Sequence, residues 1–107
     1  MKKVVVALVL LAALPAQAQR VSKVSGNQLM ALCGHTDIKG CDAYLDGIAD
    51  AIAEEPAPRR ACIPPSVTTP QLRDVVLKLL HDAPEKRELR AARIVVHAFG
   101  KAFPCHL

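Results

Sequence analysis

The chain has no tryptophan, one tyrosine and two phenylalanines among its 107 residues. That scarcity removes the aromatic platforms on which single-stranded nucleic acid stacks. It also removes the rings that fill core volume most efficiently, so any core must be largely aliphatic. No segment alternates apolar and polar residues with period two, so no strand is expected. Internal repeats and low-complexity tracts are absent. There is no nucleophile elbow, phosphate-cradling loop, paired-acid motif or zinc-binding helix motif. The four histidines, His35, His81, His97 and His106, are scattered over a loop, a helix end, a helix face and the C-terminus. They read as solvent-facing or capping groups, and His81 in a last helical turn suits the helix dipole. The expectation is no catalytic residue, no metal and no cofactor, and hence no enzyme.

Charge of one sign is also in short supply. Fourteen basic and ten acidic residues give +4, and without Lys2 and Lys3 the balance is twelve against ten, or +2. Those two lysines belong to a segment of their own. They precede an apolar run from Val4 to Leu14, and Ala16-Gln17-Ala18 follows with small residues at the positions a signal peptidase reads. Eleven apolar residues are too few for a membrane span, which needs about 20. The expected organisation is a cleaved secretory signal over 1–18, a loose polar arm over 19–25 and one domain over 26–107. The exported chain then has no stable membrane insertion, and its basic patches are too sparse for nucleic acid. A domain this short is marginal on core burial alone.

Four helices are expected. The first starts after the N-cap Ser25, carries Leu29, Leu32 and Cys33 at helical spacing, and stops at Gly34. The second runs from Cys41 or Asp42 to Glu55, with Cys41, Tyr44, Leu45, Ile48 and Ile52 as one apolar stripe. Gly47 lies inside it, where glycine costs about 1 kcal/mol against alanine. Close approach of another backbone is the expected reason. Pro56, Pro58, Pro64 and Pro65 mark a stiff loop. Thr68 and Gln71 form a capping box for the third helix, with Pro70 in its first turn and Leu72, Val75, Val76, Leu79 and Leu80 facing the core. Asp82-Ala83-Pro84-Glu85 ends that helix and starts the fourth, whose expected stripe is Leu89, Ala92, Val96, Phe99 and Phe103. Ile94 and Val95 widen this face, either as a dimer surface or as core. The fold class is all-α, a small disulfide-stapled bundle of about four helices.

The staples are Cys33, Cys41, Cys62 and Cys105, an even number behind an export signal. A metal site at Cys33, His35 and Cys41 is disfavoured, because the spacing matches no zinc pattern. Four cysteines leave three pairings open. In an up-down-up-down bundle, Cys33 and Cys41 lie at one end and Cys62 and Cys105 at the other. Pairing within each end needs no bridge along the bundle. Either alternative joins sulfurs roughly 20 Å apart by the helical rise, against a Cα limit of about 7 Å.

Asp42, Asp46, Asp50 and Glu54 recur every fourth residue on the second helix. Like charges at that spacing destabilise a helix, so something should compensate them. They are the candidate partner-binding residues, as an acidic row that docks on a basic protein surface. The bland alternative is a solvated face or pairing within the bundle. Lys86, Arg90, Arg93 and Lys101 form a basic row on the fourth helix.

The stretch Cys62-Ile63-Pro64-Pro65-Ser66-Val67-Thr68-Thr69-Pro70-Gln71-Leu72 resembles a family pattern of the form CIP-x-x-VT-x-x-QL. Cys41 to Ala51 (CDAYLDGIADA), Val75-Val76 and Phe103-Pro104-Cys105 stand around it in the same order. Together these resemble the Rap/Tai family of immunity proteins, from about Gly26 to Cys105. The resemblance implies a small periplasmic helical protein, often a homodimer. It would bind and inhibit a peptidoglycan amidase delivered by a type VI secretion system, with no catalysis of its own. No inhibitory residue transfers position by position. The alternative is a small periplasmic protein-binding or acid-stress chaperone module without a dedicated toxin partner, which would expose apolar surface at low pH.

Overall fold

The computed structural model describes residues 23–106. The expected signal over 1–18 and the first part of the arm lie outside the described residues. Four α-helices follow in order: α1 Gly26–Cys33, α2 Lys39–Ala53, α3 Thr69–Asp82 and α4 Ala91–Ala102, with a 3-10 turn at Pro84–Lys86. Among the described residues no strand is present beyond a single bridge between Ser25 and Arg90. The fold is all-α.

Local chemistry sets the helix starts. The hydroxyl of Thr68 accepts from the amide of Gln71, and the Thr68 amide donates to the Gln71 side chain at 2.8 Å. Ser25 and Gln28 make the same reciprocal pair at α1. Helix α2 begins at Lys39, two residues before the expected start, because Asp37 accepts from the Lys39 amide at 3.1 Å. It ends at Ala53 rather than Glu55.

The fourth helix starts later than expected and turns a different face inward. Pro84 does not nucleate it. Three backbone groups of the Arg87–Ala91 segment are bonded elsewhere. Gly26 N–H donates to Leu89 O at 2.9 Å, Asn27 N–H to Arg87 O at 2.9 Å, and Ala91 N–H to Val24 O at 2.7 Å. A peptide group engaged across the chain cannot serve an i→i−4 ladder. The same bonds tie down Val24 and Ser25, the end of the arm expected to be loose. With its start moved to Ala91, α4 buries Ala91, Ile94, Val95, Ala98 and Phe99. Of the expected stripe only Phe99 is fully buried. Leu89 is 39% exposed, Ala92 is exposed, and Val96 and Phe103 are half-buried. Ile94 and Val95 are core, at 3% and 0% exposure, and so are not a dimer surface.

Phe99 sits in the core with Leu29, Leu45, Ile52, Val76, Leu80 and Val95. Each such side chain contributes about 1.5–3 kcal/mol when fully buried. Cys33 is bonded to Cys41 and Cys62 to Cys105, each pair with Cα atoms 4.9 Å apart. The second bridge closes the loop after α2 onto the end of α4, beside a hydrogen bond from Cys62 N–H to Phe103 O at 2.8 Å. The loop passes over Gly100, where a Cβ would lie 2.8 Å from the carbonyl oxygen of Arg60. That neighbour is backbone and cannot swing away. Gly100→Ala should therefore destabilise the fold by about 1–3 kcal/mol in urea melts, by overpacking, although alanine is otherwise the better helix former.

Candidate partner-binding face

Helix α2 carries the four candidate carboxylates, and the bundle divides them into two pairs. Asp42 faces α3, where Arg73 grips it with two hydrogen bonds, Nε to Oδ1 at 3.0 Å and Nη2 to Oδ2 at 3.1 Å. The bond to Asp42 holds the Arg73 pKa above its ordinary value. Asp46 Oδ1 accepts from the Thr69 hydroxyl at 2.9 Å, beside the N-terminus of α3. There its charge meets the favourable end of a helix dipole. These two carboxylates hold α2 to α3. Asp50 and Glu54 are exposed and make no side-chain hydrogen bond or ion pair among the described residues. Half of the acidic row is thus pairing within the bundle, and half is an open surface.

Glu55, one residue beyond the row, closes the following loop. Its carboxylate accepts from the Arg60 amide at 3.1 Å and from Arg60 Nε at 2.6 Å, and it also pairs with the Arg60 guanidinium. The hydrogen bonds from Arg60 hold the Glu55 carboxyl below its usual range. Arg59 Nε donates to Glu55 O at 3.1 Å. The loop that carries Arg60 is therefore stitched to the end of α2.

The basic row is split by the late start of α4. Lys86 lies in the 3-10 turn and Arg90 caps α4, while Arg93 and Lys101 lie within it. All four are exposed, and none forms an ion pair among the described residues. The compensating cation for Asp42 comes from α3, not from this row.

Between α2 and α4 runs an open groove of about 410 Å³. Gly47, Ile48 and Ala51 form its α2 side, Ala92 and Val96 its α4 side, and Arg93 and Arg60 stand over it. The expectation for Gly47 is corrected here. A Cβ at Gly47 would meet nothing within 4 Å, so no backbone approaches it. On the other side of α4, a smaller groove of about 260 Å³ lies under Lys86, Arg93 and His97, with Leu79, Leu89 and Ile94 below. Sequence reasoning missed Arg60 and the outward role of Gly47. The available signal was α4 itself, which carries more apolar residues than one core-facing stripe can use. Among the described residues no cluster of His, Cys, Asp and Glu could hold a metal ion.

The family model of the Rap1a immunity proteins matches residues 25–105. The chain belongs to this family. The match begins at the N-cap of α1 and ends at the last bridged cysteine, so it covers all four helices and both disulfides. No curated protein and no solved structure matches the chain at a significant level. Membership in the Rap1a immunity family implies an immunity protein whose protein partner is a secreted effector. Together with two disulfides it points to an exported chain. No helix of the described residues is long and apolar enough to cross a membrane.

Proposed function

We propose that this Rap1a-family chain is a periplasmic immunity protein. It binds a peptidoglycan amidase delivered by type VI secretion and blocks its active-site groove. The match over residues 25–105 is the observation that carries this reading. The signal over 1–18 directs export and is then removed, and the domain over 26–107 acts as a binding scaffold without catalysis of its own. A homodimer belongs to the same reading through the family resemblance, although Ile94 and Val95 cannot form its interface. The acid-stress alternative finds less support. The family match is to an immunity domain and not to a chaperone. The test is recovery of the partner from periplasm on the tagged chain, followed by assay of any cell-wall hydrolase recovered. Inhibition at stoichiometric ratio supports the reading; recovery of no hydrolase removes it.

Asp50 and Glu54 are the part of the acidic row free to meet that partner. Reversing both, Asp50→Lys with Glu54→Lys, should weaken binding at least about tenfold and flatten its salt dependence, since exposed interfacial charges act through steering and screening. Unchanged affinity and unchanged salt dependence would remove the acidic row from the interface. Reversal of Asp42 would be uninformative here, because it breaks the bond to Arg73 and acts through stability.

A further inference from the structure

The two disulfides stand in opposite surroundings. Cys33 is 5% exposed and Cys41 is fully buried, and both belong to the core cluster with Leu29, Leu45 and Val76. A thiolate from solvent reaches them only when the bundle opens. Cys62 is exposed and Cys105 half-buried. Cys62 lines a surface pocket of about 250 Å³ together with Ala61, Ile63 and Arg59. That lining holds a guanidinium and no carboxylate, so an approaching thiolate meets no like charge there.

The contacts beside this bridge do not depend on its sulfur–sulfur bond. Cys62 N–H donates to Phe103 O at 2.8 Å, and the Glu55 carboxylate holds Arg60 two residues earlier. Cys105 Sγ lies 3.6 Å from Arg59 O. A disulfide sulfur has no proton to donate to that oxygen, whereas a thiol has one. The reduced chain therefore finds an acceptor already in place.

We propose that Cys62 is a thiol–disulfide exchange site. The Cys62–Cys105 bridge is then a reversible clasp, and Cys33–Cys41 a fixed staple. The co-reactant is a dithiol, of the kind an exported thiol oxidoreductase carries. Its thiolate attacks Cys62 Sγ, because Cys62 is the more exposed of the pair. A mixed disulfide forms at Cys62, the bond to Cys105 breaks, and Cys105 leaves as a thiolate that takes a proton from water. The second thiolate of the reductant attacks the reductant's own sulfur in the mixed disulfide and releases Cys62, which is protonated in turn. The chain gains two electrons and two protons, and the dithiol becomes a disulfide. This bridge joins residues 43 apart, against 8 for the other. The bond within reach of solvent thiols is thus the one that closes the long loop, and its redox state is read out as stability.

The experiment incubates the oxidised protein with dithiothreitol in native buffer, quenches samples with iodoacetamide and maps the alkylated cysteines by mass spectrometry. Cys62 and Cys105 should be labelled at least about tenfold faster than Cys33 and Cys41. In urea above the unfolding midpoint that difference should vanish. With glutathione as the thiol, the trapped adduct should sit on Cys62. Protein reduced only at Cys62–Cys105 should keep its helical circular dichroism, melt at a lower Tm and recover its Tm on reoxidation. Equal labelling of all four cysteines in native buffer overturns the proposal, and so does reduction of neither bridge short of unfolding. An adduct chiefly on Cys105 overturns the assignment to Cys62. Loss of the helical signal when this bridge alone is reduced overturns the clasp, since the bond is then a condition of folding.

Discussion

Replacing Cys62 and Cys105 together by alanine should destabilise the protein by about 4 kcal/mol. The bridge joins residues 43 apart in sequence, and the chain-entropy model assigns roughly that cost to reopening such a loop. The Cys33–Cys41 bridge spans only 8 residues and is worth about 2.5 kcal/mol on the same model. The two bridges also differ in surroundings. Cys33 and Cys41 are buried, so their removal adds a packing loss, whereas Cys62 is exposed and Cys105 half-buried. Removing the long bridge is therefore the cleaner test of the unfolded-state argument. Urea melts should show a lower midpoint and a larger m-value, because the unlinked chain exposes more surface when it unfolds. A loss below about 1 kcal/mol would mean that the loop after α2 is held by other contacts. Small domains unfold with only about 5–15 kcal/mol in total, so this one bond carries a large share of the margin. Its loss also frees the segment that lays Arg60 over Gly100, and with it the end of the α2–α4 groove.

Much of this arrangement was legible without coordinates. The capping box at Thr68 and Gln71, the N-cap at Ser25 and the core stripe of α3 all rest on local rules, and local rules act within one turn. Helix order sorts the cysteines, and that needs only short connections and an antiparallel layout. The start of α4 was not legible, because it depends on hydrogen bonds between Val24–Asn27 and Arg87–Ala91. Those residues are sixty or more positions apart, and no periodicity reports them. A shifted start rotates the choice of buried face, so Leu89 and Ala92 moved outward while Ile94 and Val95 moved in. The acidic row looks like one unit in sequence for a related reason. Sequence places Asp42, Asp46, Asp50 and Glu54 on one helix, but only packing reveals that Arg73 and Thr69 of α3 engage the first two. Gly47 shows the reverse case. Its cost to the helix was legible, and the missing neighbour was not.

Phe99→Ala should cost about 3–5 kcal/mol, while Leu89→Ala should cost well under about 1 kcal/mol. A helical stripe drawn from sequence puts both residues on the same face of α4. The structure separates them: Phe99 is fully buried, and Leu89 is 39% exposed and outside the helix proper. Phe99 is also the largest fully buried side chain among the described residues. Tyr44 and Phe103 are only partly buried against the core, so Phe99 is the one ring wholly inside it among the described residues. Deleting Phe99 removes the transfer contribution of a whole ring and leaves a cavity among the buried aliphatic side chains of the core. Where Phe99→Ala does not fold, Phe99→Leu supplies a milder version of the same loss. Urea denaturation of the paired variants decides the matter. Similar losses at the two positions would restore the face expected from sequence, with Leu89 beside Phe99 in the core.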